Sequence, residues 1–467
     1  MFKNIIAITI CFLATAAFGS TPKTTTITCK VHNNTGSAVF LYKLENGEAV
    51  SQGFKRPGKN NTCSFSFTVD QEAIYFLRKG GTRQAEFNYA VYLKPGDNKI
   101  AELYTSAMGL DFDSCKIIHP NTETTCLQRW ANLFNVICKL GTNRGEREQF
   151  FEKYNDFITA AATLKAQCVT SNKYFNHLLA CKIDAEIEYT KAAAFFYFSE
   201  RMNGAYDSSA AHRFFYQSLM TQKFCTAGLL YSEHGMMLLN FCIAFNLLQS
   251  GDQAQMLATP FAEKVKRICN DTLRGAYTVQ RMLELTRYEQ VIAEVEPFKQ
   301  SILLPALKEA YQKKYDELSV YAKGAPAYNF SLTDTNDKLV ALTDLKGKIV
   351  VVDLWAMWCA PCLAEKPFYQ KVEEEYKDRS DIVFIGVSVD GVNRKEVWKN
   401  FVAKKGWKNT ELISDFTGSV MAYYKIVGIP RFMVFDKEGK IISVDAPRPS
   451  NPEFKALIEQ IISSYSN

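Results

Sequence analysis

The spacing of apolar residues changes character along the chain, and each change predicts a different kind of domain. Early in the chain apolar and polar residues alternate. Thr24-Thr25-Thr26-Ile27-Thr28-Cys29-Lys30-Val31 and Cys63-Ser64-Phe65-Ser66-Phe67-Thr68-Val69 have a period of two. That period sends successive side chains to opposite faces of a strand, one toward a core and one toward water. Asn33-Asn34-Thr35-Gly36, Arg56-Pro57-Gly58-Lys59 and Lys94-Pro95-Gly96-Asp97 break the alternation with turn-forming residues. Short strands between regular turns predict a β-sandwich-like domain over residues 20–120.

After residue 120 the period lengthens to that of a helix. Leu127, Trp130, Leu133, Phe134, Ile137 and Leu140 recur at helical spacing, as do Phe150, Phe151, Tyr154, Phe157 and Ile158. Proline is scarce, so residues 121–323 are predicted as a central all-α domain ending in one long helix over 301–323. Gly324-Ala325-Pro326-Ala327 breaks that helix. Beyond it the apolar runs Ile349–Leu354 and Ile382–Val389 are continuous, as in strands buried on both faces. A helical stretch separates them, and a further strand follows at Arg431–Phe435. Residues 324–467 are therefore predicted as an α/β domain.

Composition narrows the function. A chain of 467 residues fits about three domains. With 47% hydrophobic and 22% charged residues it is an ordinary globular chain, which excludes wholesale disorder. The net charge of +6 is spread out, without the basic stripe of a nucleic-acid binder. Five histidines argue against a His-rich metal enzyme. Gly53-Phe54-Lys55-Arg56-Pro57-Gly58-Lys59-Asn60 lacks the Ser or Thr of a phosphate loop. His212 and His234 read as packing or surface residues.

Lys3 precedes an apolar run from Ile5 to Ala17, and the A-x-G pattern Ala17-Phe18-Gly19 stands before Ser20. This is the pattern of a cleaved signal peptide over 1–19. The run is shorter than a spanning helix, and Ile10 before Cys11 is too large for lipoprotein cleavage. The predicted product is exported and does not span the membrane. Export puts the 12 cysteines beyond the signal peptide where disulfides persist. A cross-strand bridge is open to Cys29 and Cys63, while Cys242 reads equally well as a small buried hydrophobe. Spacing leaves the pairing of these open, together with Cys115, Cys126, Cys138, Cys168, Cys181, Cys225 and Cys269.

The chemistry concentrates in Val352-Asp353-Leu354-Trp355-Ala356-Met357-Trp358-Cys359-Ala360-Pro361-Cys362. A C-x-x-C that follows a buried strand and opens a helix puts Cys359 at the helix N-terminus. Unpaired N–H groups and the helix dipole there stabilise a thiolate. Cys359 is the expected nucleophile toward a disulfide, and Cys362 the residue that resolves the mixed disulfide. Pro361 suits the first helical turn, where its missing N–H costs nothing. Asp353, in an apolar strand, is the expected proton acceptor for Cys362. Glu365, one turn beyond Cys362, is a second acid–base candidate, and Pro367 is expected to kink the helix. Gly428-Ile429-Pro430 before a strand predicts a cis proline that presents the Ile429 backbone to an extended client segment. Trp358, Ala360, Pro361, Ile429, Pro430 and Arg431 are thus the expected client-binding surface. A zinc site would need two further nearby ligands, and Leu363 excludes a haem-attachment motif. No cofactor or metal is expected beyond the Cys359–Cys362 pair.

These motifs resemble the TlpA/ResA type of envelope thiol–disulfide oxidoreductase. The resemblance covers residues 324–467. It rests on Gly324-x-Pro326 with Phe330-Ser331-Leu332-Thr333-Asp334, on Leu342-x-x-Leu345-x-Gly347-Lys348, on the Trp358–Cys362 active site, on Glu365 with Pro367, and on Gly428-Ile429-Pro430. It implies a thioredoxin fold, disulfide-bonded client proteins, a membrane thiol–disulfide electron donor and a periplasmic location. Two positions depart from thioredoxin itself. Arg431 stands where thioredoxins usually carry Thr, so a charge is expected beside the dithiol. The dipeptide between the cysteines is Ala-Pro, so no redox potential carries over. The order of β-rich, helical and thioredoxin-like domains resembles the three-part envelope proteins of Bacteroidota.

The leading reading is an exported disulfide reductase acting through a mixed disulfide. A thiol peroxidase would need a Thr where Ala356 stands and a Pro where Val352 stands. The other reading is a partner- or ligand-binding envelope protein whose thioredoxin-like domain senses redox state.

Overall fold

The computed structural model describes residues 23–34, 36–79, 89–105, 112–143, 146–198, 226–249, 259–407, 409–415 and 419–465. The predicted signal peptide 1–19 with Cys11, and also His212 and Cys225, lie outside the described residues. The chain forms two compact units, residues 1–277 and 278–467. The division falls inside the helix Asp271–Glu284. Residues 120/121 and 323/324 mark changes in secondary-structure type, whereas compactness divides the chain at 277/278.

The first unit opens with β1 (Thr24–His32), β2 (Val39–Glu45), β3 (Glu48–Lys55), β4 (Thr62–Thr68), β5 (Ala73–Lys79), β6 (Tyr89–Leu93), β7 (Asn98–Thr105) and β8 (Phe112–Ile118). They form two four-stranded sheets, ordered β4-β1-β7-β8 and β3-β2-β5-β6. The period-two pattern explains the packing. Ile27, Cys29 and Val31 of β1 point inward with Phe65 and Leu103, and meet Leu41, Leu77 and Val91 of the other sheet in one core.

Cys29 and Cys63 are direct cross-strand partners in β1 and β4, yet both are thiols and not a bridge. The Val31 N–H donates to the Asn61 carbonyl at 2.8 Å. That places Cys29 and Cys63 on a hydrogen-bonded pair of the ladder, where side chains stand farther apart than on the alternate pairs. The thiols share a hydrogen bond, which raises the pKa of Cys29 and lowers that of Cys63. Cys242 is a buried thiol, and Cys269 is disulfide-bonded.

The helices Thr122–Thr142, Arg147–Gln167, Lys173–Phe198 and Gly235–Gln249 follow. Asn121 caps the first, its side chain accepting from the Thr124 N–H at 2.8 Å. Leu127, Trp130, Phe134, Ile137 and Leu140 are its buried stripe. Inside this helical layer lies a shielded ion cluster. Glu186 accepts from Lys182 Nζ at 2.6 Å, Trp130 Nε1 at 2.5 Å and Ser232 Oγ at 3.1 Å, and pairs with His234 Nδ1 at 2.9 Å. Lys182 also pairs with Glu233. Both carboxylates meet the Lys182 ammonium, which is what makes their burial tolerable.

After the end of the helix Asp271–Glu284, the second unit continues with helical turns over Tyr288–Ser301 and the helix Pro305–Ser319. The predicted long helix over 301–323 is therefore shorter. Pro305 lacks an N–H and takes the first helical turn, so the helix starts there. The sheet consists of β9 (Ser331–Asp334), β10 (Leu339–Ala341), β11 (Ile349–Trp355), β12 (Ile382–Ser388), β13 (Thr410–Ile413), β14 (Arg431–Phe435) and β15 (Ile441–Ser443). Its order is β10-β9-β13-β12-β11-β14-β15. β11, β12 and β13 are parallel, and β14 runs antiparallel to β11. Every residue of β11 is buried, as its continuous apolar run requires. The helix Ala360–Glu375 makes the crossover to β12 and runs on through Pro367. Tyr369 and Val372 of that helix pack with Phe454, Ile458 and Ile461 against Val351, Phe384 and Phe432.

Candidate active site

β11 carries the chain through the buried sheet centre to its end at Trp355, and Trp355 and the following Ala356 are both buried. Asp390 then pins the loop, accepting from the Met357 N–H at 2.8 Å and from Ser388 Oγ at 2.8 Å. The Cys359 N–H donates back to the Ala356 carbonyl at 3.1 Å. This turn makes Cys359 the N-cap of the helix Ala360–Glu375, with its Sγ accepting from the Cys362 N–H at 3.2 Å. Ala360 and Pro361 fill the first turn. Cys359 and Cys362 are joined as a disulfide with a Cα–Cα separation of 5.3 Å.

The pair is shielded, with Cys359 4% and Cys362 1% exposed, while Trp358 stands out at 56%. Ala360 and Pro361 are exposed as well. The Ile429–Pro430 bond is cis. β14 begins at the next residue, and Arg431 is the register partner of Leu354 near the end of β11. The cis proline therefore comes to the sheet end from which the Cys359 loop departs. Ile429 and Pro430 are half-buried there. Arg431 is not a free charge beside the dithiol. Its guanidinium binds Asp445 at 2.6 Å, and Asp445 also receives Arg287 at 2.8 Å.

Asp353 is 1% exposed. Its Oδ2 accepts from Lys366 Nζ at 3.1 Å, and its Oδ1 has no partner. Burial pushes the carboxyl up to about 6; Lys366 opposes that shift, and Glu411 and Glu365 reinforce it. Glu365 is buried, and Ser450 engages both its oxygens, through the N–H at 3.0 Å and Oγ at 2.9 Å. It faces Asp353 as a neighbouring charge, with its own lone pairs committed to Ser450.

Sequence reasoning missed Lys366 and Glu411. Lys366 Nζ also binds Glu411 Oε1 at 2.6 Å, and Glu411 Oε2 accepts from Trp355 Nε1 at 2.7 Å. The available signals were a lysine one turn beyond Cys362 and an acidic residue inside the apolar strand Thr410–Ile413. Among the described residues, Glu186, Glu233 and His234 present ligand atoms within 4.8 Å of one another. The Lys182 ammonium already sits among them, so the cluster is an ion-pair network and does not fit a cation.

Comparison with known proteins agrees with this geometry. The AhpC/TSA family matches residues 323–444. The thiol-disulfide oxidoreductase ResA of Bacillus cereus is 30% identical over 155 residues, covering 33% of this chain and 86% of that protein. The ResA of Bacillus thuringiensis is likewise 30% identical over 155 residues, with the same coverage of 33% and 86%. Among solved structures, the thioredoxin domain of a thiol-disulfide oxidoreductase from Bacteroides vulgatus is 30% identical. That match covers 30% of this chain and 96% of the other, with a TM-score of 0.27. A C-x-x-C disulfide capping a helix, a cis proline at the same sheet end and 30% identity to ResA over 86% of its length lead to one assignment: the chain belongs to the ResA family of thioredoxin-like thiol–disulfide oxidoreductases.

Proposed function

We propose that the protein is exported to the periplasm and reduces protein disulfides there through the Cys359/Cys362 dithiol. The observation that carries this reading is Cys359 at the N-cap of its helix, bonded to Cys362. In the reduced protein the helix N-terminus favours the Cys359 thiolate. That thiolate attacks one sulfur of a client disulfide, and the client's other sulfur leaves as a thiolate. The Cys362 thiol then gives its proton to Asp353 and attacks Cys359 Sγ. The Cys359–Cys362 bond forms, the client's second sulfur leaves as a thiolate with the bonding pair of the mixed disulfide, and the client is reduced by two electrons. Trp358, Ala360, Pro361 and the Ile429–Pro430 edge supply the surface on which an extended client segment lies. A membrane thiol–disulfide donor returns two electrons to the pair.

Ahead of the thioredoxin-like domain over 324–467, residues 1–19 serve as the signal peptide, and residues 20–120 and 121–323 are a β-sandwich-like and an all-α domain. No helix among the described residues is long and apolar enough to cross a membrane. The test is Cys362→Ser incubated with a disulfide-bonded protein. A covalent adduct through Cys359 is expected, released by dithiothreitol and absent when both cysteines are Ser. Absence of any adduct would contradict the oxidoreductase reading and favour a binding protein with a redox-sensing domain.

A further inference from the structure

Three adjacent strands carry Asp353, Gly386 and Glu411 in one row. Asp353 is the register partner of Gly386 across β11 and β12, and Gly386 that of Glu411 across β12 and β13. Register partners present their side chains on the same face. Neighbouring strands lie about 4.8 Å apart, so the two acidic residues start about 10 Å apart with no side chain between them. Glu411 leans into that gap: a Cβ on Gly386 would lie 2.0 Å from Glu411 Oε2. Lys366 closes the gap from the helix above, 2.6 Å from Glu411 Oε1 and 3.1 Å from Asp353 Oδ2. Its ammonium is boxed by the rings of Trp355, Tyr369 and Trp407 at 5.4, 5.4 and 4.6 Å.

Asp353, Lys366 and Glu411 are all at most 2% exposed. Two ionised carboxylates against one ammonium would leave an uncompensated negative charge in a shielded site, a state avoided by retaining one proton. Hydrogen bonds select the carboxyl that retains it. Glu411 accepts from Lys366, from Trp355 Nε1 at 2.7 Å and from Asn409 Nδ2 at 2.9 Å, which stabilises its ionised form. Asp353 accepts from Lys366, and its Oδ1 has no partner. The other titratable groups facing Asp353 come from the helix Ala360–Glu375. Glu365 raises its pKa, and Tyr369, whose phenol is pushed up first by its own desolvation, is raised further by the Asp353 charge. Glu373 interacts with Lys366 and Glu411. β12 contributes Gly386, and β14 contributes Phe432 as the partner of Asp353.

We propose that Glu411 and Lys366 are positioning residues that keep this site's exchangeable proton on Asp353, from which it passes to and from the Cys362 sulfur. The proposal rests on the role given to Asp353 above. Once Asp353 has released that proton to solvent, its carboxylate takes the thiol proton as Cys362 attacks the mixed disulfide, and the client sulfur leaves with the bonding electron pair. In the opposite direction protonated Asp353 returns the proton as the Cys362 sulfur leaves.

Glu411→Gln removes the competing charge, so Lys366 answers Asp353 alone and Asp353 ionises at lower pH. Lys366→Met removes the ammonium, so Asp353 ionises at higher pH. The experiment follows oxidation of the reduced full-length protein by a disulfide-bonded test peptide, by tryptophan fluorescence across the acid-to-neutral range. The midpoint of the rate profile should fall by about one pH unit in Glu411→Gln and rise by about as much in Lys366→Met. Midpoints that stay in place, or move in the same direction, would overturn the proposal while leaving the exchange reaction intact. No exchange by the wild-type protein would instead overturn the function. A second measurement needs neither variant nor turnover. Carboxyl ¹³C titration of the wild-type protein should show Asp353 moving near about 6. Glu411 moving with Asp353 still would reverse the assignment and overturn the proposal.

Discussion

Asp353 is held in a place that costs the fold stability. An isolated aspartate ionises near about 3.9, and burial raises this one to about 6. The folded chain therefore binds that proton more tightly than the unfolded chain. The penalty for ionising it grows as pH rises from about 4 through 6 and is complete above that range. Asp353→Asn should stabilise the protein by about 1–3 kcal/mol at slightly alkaline pH, with the gain vanishing toward pH 4, as read by urea unfolding. The same variant should slow resolution of the mixed disulfide, visible as accumulation of the Cys359 adduct. Cys359, Cys362, Asp353 and Pro430 were legible in the sequence because each belongs to a short run with its own local chemistry. Lys366 and Glu411 were not, because their meaning depends on a row across three strands. Arg431 was legible as a charge but not as a neutralised one, since Asp445 and Arg287 come from elsewhere in the fold.

At the level of elements, the sheet centre needs a residue without a side chain at one point. Gly386 sits between Asp353 and Glu411, and the end of Glu411 is held by hydrogen bonds from Trp355, Lys366 and Asn409. Gly386→Ala should therefore destabilise the second unit by about 1–3 kcal/mol, the usual cost of overpacking a filled core. In the Glu411→Ala background, where the occluding carboxylate is gone, the same change should cost less; equal costs in both backgrounds would contradict this packing. The strands were readable where their pattern was strong: alternation in β1 and an unbroken apolar run in β11. The start of the helix Pro305–Ser319 was misread because apolar spacing continues past the point where Pro305 sets the boundary. The β1–β4 partnership of Cys29 and Cys63 could not be read at all, since register is set by pairing and not by composition.

On the scale of the whole molecule, each unit shields its own ion network, and the two should respond differently to acid. In the first unit, burial opposes ionisation of Glu186, but Lys182 and His234 outweigh it and hold the carboxyl well below the ordinary range. A depressed carboxyl contributes stability above its unfolded value near about 4.3, and that stability is lost as pH falls toward the folded value. Glu186→Gln should lower stability by about 3–5 kcal/mol at neutral pH, because Lys182 loses one of its two counter-charges inside a buried network. The loss should shrink in acid; a loss independent of pH would contradict the ion-pair account. This network went unread in the sequence because Lys182, Glu186 and His234 look like ordinary polar positions until Trp130 and Ser232 are folded against them.

The central claim is that Cys359 and Cys362 form a reversible, reducing dithiol. Its most direct test is the equilibrium reduction potential of the pair, read by the fluorescence of Trp355 and Trp358 in thiol–disulfide buffers. The account predicts reversible two-electron titration at or below about −250 mV, in the range of thioredoxin-type reductants. A value near about −120 mV would make the pair a disulfide donor and reverse the proposed electron flow, and a pair that never titrates would contradict the dithiol mechanism itself.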